Sequence, residues 1–406
     1  TADGLEIVSV SVDEPTGNPT ADRKNISAFA KKIDYPFTVA LPSETLLSDL
    51  DITQRAFIGR LSDLPIPSSF LLDAQRRLVA IYRGPVSADQ LKKDIALIGA
   101  EKDTILKNAV PFPGIWFEPP SSLTPKHIAV TYTDNGKLQE ASDFVTYLID
   151  RNQTHPGLIT DSDAADLLRI RAAVLFDLGE IQQSLDSWLE VLALNPNFEG
   201  AHLEMARCYS DLNQFEKAAS ELELALASNR RDPENLLRLA RIYLKKLSAP
   251  AAAAPLFREA FELRPPSSPV TLFDYSSALI ATKQVAQAVT ALENALTLVP
   301  GWPPAANNLA WILATSPDSK IRNPAEAIRL AISSCQACNY QLPSALGTLA
   351  ASYAAAGQFD KAVKYSKDAI SAASSRNEDR TIHTTALANY QKNQPFLDPS
   401  LAPTPD

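Results

Sequence analysis

The chain has 406 residues, 45% hydrophobic and 21% charged, a globular balance that excludes wholesale disorder and a length that implies two or three domains. A net charge of -9 argues against a general nucleic-acid-coating role, because phosphate binding depends on Lys and Arg. Three cysteines exclude a disulfide-stapled scaffold, no apolar run reaches membrane-span length, and 30 prolines against 13 glycines suit helices separated by proline breaks.

The start, Thr1-Ala2-Asp3-Gly4, is neither an initiator Met nor a signal peptide, so the chain is expected to be a piece of something longer. Leu5 to Val12 alternates and is β-branched, which predicts a strand leaving into a loop at Asp13-Glu14-Pro15. Ile26 to Ile33 has helical spacing, Tyr35 to Leu41 reads as a short strand, and Pro67–Asp73 with Arg77–Tyr82 reads as a β-hairpin. A final helix is predicted from Ser87, a candidate N-cap, to about Leu106. The order is α/β.

Leu5–Asp13, Pro36–Pro42 and Ile66-Pro67-Ser68-Ser69-Phe70-Leu71-Leu72-Asp73 resemble the later part of a redoxin or TlpA-type thioredoxin-like domain. The resemblance implies a cis proline at Pro67 facing redox cysteines and holding an extended substrate by strand-like pairing. Two departures matter. The family's Cys-x-x-Cys would precede Thr1, and the hairpin turn has Arg76 where glycine is usual. The expected domain, residues 1–108, is therefore incomplete and cannot exchange thiols as it stands.

Residues 109–121 hold Pro111, Pro113, Pro119 and Pro120 around Trp116 and Phe117, a stiff extended linker. Beyond it the chain repeats. Ala218, Ala253 and Ala288 recur at a ~35-residue step, as do Ala225, Ala260 and Ala295, while Pro196, Pro265 and Pro300 close successive units. Small residues let two helices approach closely, and proline stops the second. This pattern resembles the tetratricopeptide repeat, with units at 122–155, 165–198, 199–232, 233–267, 268–302, 303–340 and 343–376. Residues 377–406 are expected to form a polar capping helix at 380–392 and a Pro-rich tail that frays after Gln394. The expected fold is mainly α: a tetratricopeptide α-solenoid behind a small, incomplete α/β thioredoxin-like domain.

Catalytic equipment is sparse. Cys335-Gln336-Ala337-Cys338 falls near the end of a repeat's second helix, where the dipole does not favour a thiolate. Packing thiols, a reversible disulfide or half of a metal site are the readings open to it, and the first fits best because no further ligand pair has matching spacing. Cys208 is expected to pack. His127, His155, His202 and His383 are scattered without a nucleophile and orienting acid at informative spacing. No cofactor or metal is expected.

Binding has more to work with. In the tetratricopeptide family the first helix of each unit lines a groove, and Arg169, Arg207 and Arg241 are expected on that face, followed by Phe273, Asn307 and Trp311. Such a stripe suits a protein or peptide partner, an acidic segment or chain terminus in particular. The alternative is that Glu204, at i,i+3, and neighbouring acids pair with these arginines on a solvated face. The family's chaperone-binding carboxylate clamp is not matched.

The combination is similar to exported bacterial proteins in which a redoxin-like domain precedes tetratricopeptide repeats, often with ASPIC/UnbV domains. That resemblance implies a periplasmic or secreted location. The leading expectation is an interaction scaffold without nucleic-acid binding or membrane insertion. Its rivals are a thiol-disulfide oxidoreductase whose Cys-x-x-Cys lies upstream, and repeats that serve only self-association.

Overall fold

The computed structural model describes residues 6–10, 19–32, 34, 36–40, 46–58, 67–74, 78–100, 104, 124–228 and 232–402. The chain divides into two compact units, Thr1–Phe198 and Glu199–Asp406.

The N-terminal unit begins with strand β1 (Val8–Val10), helix α1 (Pro19–Lys32) and strand β2 (Thr38–Ala40). β1 and β2 pair in parallel, Val8 opposite Thr38, a pairing that needs a crossover such as α1. Strands β3 (Ser68–Leu72) and β4 (Leu78–Arg83) form the expected antiparallel hairpin, irregular between Leu71 and Leu72. The described strands thus make two two-stranded sheets. Helix α2 (Leu46–Ile58) stands where the sequence reading placed no element; its buried Ile52 and Ala56 lie one turn apart. Helix α3 (Ala88–Ile95) is capped at Ser87, whose hydroxyl accepts from the Gln90 N–H at 3.2 Å. It ends well before Leu106, in a turn running to Ala100. Tyr82 on β4 ties to it, donating to Asp94 at 2.7 Å. The peptide bond preceding Pro67, the Arg76 turn and the linker at 109–121 lie outside the described residues.

Two helix hairpins complete this unit: α4 (Pro125–Asp134) with α5 (Leu138–Thr154), and α6 (Asp161–Asp177) with α7 (Ile181–Leu194). α2 packs against α4, Phe57 meets Phe144 edge-on at 6.3 Å, and Lys137 pairs with Asp49.

The C-terminal unit carries five more hairpins among the described residues. They are α8 (Ala201–Asp211) with α9 (Phe215–Ser228), α10 (Pro233–Lys245) with α11 (Pro250–Leu263), α12 (Pro269–Ala281) with α13 (Val285–Leu298), α14 (Pro303–Thr315) with α15 (Pro324–Ala337), and α16 (Pro343–Ala355) with α17 (Phe359–Ser375). Local chemistry explains their edges. Pro233, Pro250, Pro269, Pro303, Pro324 and Pro343 stand at helix starts, where the missing N–H costs nothing. The turn inside a hairpin needs a left-handed residue, supplied by Gly357 (φ 73°) in the last repeat but by Lys283 (φ 64°) between α12 and α13. Ala218, Ala253 and Ala288 are all fully buried, as the repeat register requires. Ala253 packs in one cluster with Ala240 of its partner helix, and Ala288 with Leu279 of its own. α10 touches α12 and α14 touches α16, so first helices meet at these two joints, while each second helix packs on the next first helix.

Helix α18 (Thr381–Tyr390) caps the array, turning His383, Ala386 and Tyr390 inward against α16 and α17. The described part of the tail, residues 391–402, does not fray. Residues 394–402 fold back, ending in a 3-10 turn (Pro399–Leu401) that touches α12 and buries Leu401 in the repeat core. Burial of one leucine and three polar ties to the repeats replace the solvation that the composition alone suggested.

A candidate partner-binding surface on the first helices

With the repeat starts given above, one position of the first helix falls in turn on Arg207, Arg241, Ser276, Trp311 and Ala351. Its chemistry changes along the unit. Arg207, exposed on α8, pairs with Glu204 at 2.6 Å, three residues away. Arg241 on α10 reaches the next repeat: its guanidinium donates to Thr271 at 2.7 Å and lies 3.4 Å from Asp274. The same carboxylate receives Lys245 at 2.8 Å. Asp274 is buried, so two cations across the α10–α12 joint stabilise a charge that could not stand there alone. Ser276 is buried and donates to the Phe273 carbonyl at 2.7 Å.

Arg169, on α6 of the N-terminal unit, is half-buried and makes no hydrogen bond or ion pair among the described residues. Arg171, two residues on, is held by Glu190 at 2.7 Å and Ser187 at 3.0 Å. Phe273 meets Trp302 edge-on at 5.6 Å. Asn307 lies one turn before Trp311 on α14, and its buried Oδ1 lacks a hydrogen-bond partner among the described residues. Trp311 is already engaged: its indole N–H donates to Asp398 at 2.8 Å, and Phe396 lies against the ring at 6.0 Å.

Asp274, Lys245, Thr271 and Asp398 escaped the sequence reading. An i,i+4 pair of cations, Arg241 and Lys245, facing a lone acid in the apolar run Thr271–Tyr275 is the signal that could have found the first three. Asp398 carries no such signal, since its partner lies 87 residues away.

The thiols are quiet. Cys335 is buried near the end of α15, and burial, with the Cys338 sulfur close by, pushes its pKa up to about 12. Cys338 donates to the Cys335 carbonyl at 3.3 Å, and Cys208 is buried. No cluster of three or more His, Cys, Asp or Glu able to hold a metal occurs among the described residues. Pro67 is exposed at the mouth of the hairpin, its carbonyl accepting from the Gly84 N–H at 2.8 Å. No helix among the described residues is long and apolar enough to cross a membrane.

The sequence profile of the tetratricopeptide repeat family matches residues 175–242, from the end of α6 through most of α10. No curated protein matches the chain. Solved structures similar to it include a tetratricopeptide repeat protein from Parabacteroides merdae, 14% identical with a TM-score of 0.39, the match covering 66% of this chain and 97% of that one. YrrB, described as a TPR protein with an unusual peptide-binding site, is 16% identical with a TM-score of 0.35 and coverage of 60% and 96%. A segment of MamA from Desulfovibrio magneticus is 16% identical, also with a TM-score of 0.35, and coverage is 43% and 92%. The fold is a mainly-α tetratricopeptide solenoid preceded by a small β-containing region.

Proposed function

We propose that the chain is an interaction scaffold that holds a protein or peptide partner on the first-helix layer of its repeats. The observation that supports this reading is the Oδ1 of Asn307, buried on α14 one turn from Trp311: it has no hydrogen-bond partner among the described residues, and a ligand backbone N–H that reached it would satisfy it. Phe273 and Trp311 supply apolar area on the same layer. Arg207 and Arg241 supply positive charge there, Arg169 does so separately on α6 of the N-terminal unit, and an acidic segment or chain terminus is the partner that such first-helix charge favours.

The test is an array of acidic peptides with free C-termini, probed with the wild-type chain, Arg207→Ala, and Arg207→Ala with Arg241→Gln. Each lost charge-assisted contact should weaken binding by about 1.5–3 kcal/mol, and added salt should weaken it further. Folding stability is measured in parallel, because Arg241 also serves Asp274. Unchanged binding and unchanged salt dependence would mean that the arginines only decorate a solvated face.

The finer reading of the N-terminal segment, as the later part of a redoxin or TlpA-type domain, belongs to the same proposal. It is supported by the parallel β1–β2 pair joined through α1, followed by the antiparallel β3–β4 hairpin with Pro67 at its entry. A periplasmic or secreted location goes with it. Fractionation of the native cell with an antibody to the repeats tests that part: a purely cytoplasmic signal would exclude it.

A further inference from the structure

The tail beyond α18 takes an irregular path across two repeats of the first-helix layer. Residues 394–398 hold no helix or strand, and the segment then closes in its 3-10 turn. It points three side chains inward and the others out: Phe396 and Asp398 are partly buried and Leu401 is 2% exposed, whereas Leu397 is 42% exposed and Pro399 and Ser400 are exposed. Each inward residue meets a defined receiver. Phe396 packs on Trp311 and on the cluster that includes Ala350 and Tyr390. The Asp398 carboxylate accepts from the Trp311 indole at 2.8 Å, and its backbone N–H donates to the Thr315 carbonyl at 2.8 Å, at the open end of α14. Lys283 donates to the Ser400 carbonyl, and Leu401 joins the apolar cluster containing Leu272, Leu309 and Leu346.

This is the pattern of a bound peptide: backbone ties for affinity, and spaced side chains in separate receivers for specificity. It differs from the repeats in lacking a partner helix, and Leu401 is its one fully buried apolar side chain among the described residues.

We propose that the α12–α14 surface is a binding site for an extended segment bearing an aromatic residue, a carboxylate two positions on and an apolar side chain three further on. Residues 396–401 fill it in cis as a displaceable plug. The inference rests on the reading of the first-helix layer as the partner-binding surface, and adds which partner chemistry its C-terminal part takes. A partner presenting the same triad competes with the tail, so the site is closed in the free chain and its apparent affinity is reduced by the fraction of time the tail is docked.

The experiment uses the full chain and a fluorescein-labelled peptide of residues 394–402, followed by polarisation. The wild-type chain should bind the peptide weakly, and Asp398→Ala with Leu401→Ser, which loosens the plug at constant length, should bind it about tenfold or more tightly. Adding Trp311→Ala to the loosened chain, or placing Asp398→Ala in the peptide, should remove that gain. Equal binding by the wild-type and loosened chains overturns the proposal, as does no binding by a folded loosened chain. A loosened chain that fails to fold overturns it too, since the tail would then be a fixed part of the core. Light scattering adds one more outcome: a wild-type dimer dispersed by the two tail substitutions would assign the site to a second copy, and also overturns it. If acidic peptides bind through Arg207 while the tail peptide fails, only the plug falls; if neither binds, the scaffold reading falls with it.

Discussion

The two ends of the C-terminal unit carry different chemistry on the same repeat position. At one end Arg207 and Arg241 occupy it; at the other Trp311 and Ala351 do. The backbone is equivalent throughout, helix against helix with a fully buried alanine at each crossing. What differs is what the position is asked to satisfy. Between α10 and α12 it neutralises a buried acid, whereas on α14 it receives a tail. A repeat fold fixes where a side chain stands and leaves open whether it braces the next repeat or faces a ligand.

The sharpest way to break this comparison is to remove both cations from Asp274. Arg241→Ala with Lys245→Ala leaves a buried carboxylate alone and should cost about 3–5 kcal/mol in urea denaturation, because an unpaired buried charge is far more costly than a missing pair. Asp274→Ala in that background should recover most of the loss. By contrast, Arg207→Ala should change stability by no more than ~1 kcal/mol, since its pair with Glu204 is solvent-exposed. Similar costs for removing the two cations of Asp274 and for removing Arg207 would erase the distinction between a bracing and a facing position.

How much of this was legible beforehand follows from range. The hairpins, their prolines and the buried Ala218, Ala253 and Ala288 are local or periodic, and a single sequence carries such signals in full. The capping helix and the Ser87 N-cap are local too. Helix α2 escaped because its apolar stripe is short and faces α4, an element far along the chain. The tail escaped for the same reason more strongly: Pro395 and Pro399 stand in a segment without an α-helix or strand, and only a partner 87 residues away decides that Asp398 docks. At the candidate site, residue identities were readable and their engagement was not. Arg241 and Arg207 look alike in sequence, and the joint to Asp274 exists only once two repeats are stacked.

A smaller effect is expected where α18 seats on the last repeat. Gly347 on α16 faces the His383 ring so closely that a Cβ there would stand 2.4 Å from the ring's Cε1. Gly347→Ala must push the ring or the helix aside and should cost about 1–3 kcal/mol, the usual range for overpacking. His383→Ala should relieve the clash, so the pair of substitutions should be less costly than the sum of the singles. Strict additivity in thermal melts would show that the capping helix shifts freely and that the repeat end is not held at this contact.

The smallest effect comes from the same histidine and turns on pH. Burial against α16 lowers the His383 pKa, a shift that the nearby Asp379 and Glu378 only partly oppose. Ser366 on α17 donates to its backbone carbonyl at 3.1 Å and leaves the ring charge unaided. The unfolded chain therefore binds a proton at this site more readily than the folded one. Stability from the neutral ring is complete above the unfolded value of about 6.5 and is lost as pH falls below it toward the lower folded value. Wild-type protein should thus lose more of its melting temperature between pH 7 and pH 5 than His383→Gln, which keeps a polar side chain and does not titrate. Parallel curves for the two proteins over that interval would place the histidine in water, and would undo the account of how the capping helix closes the array.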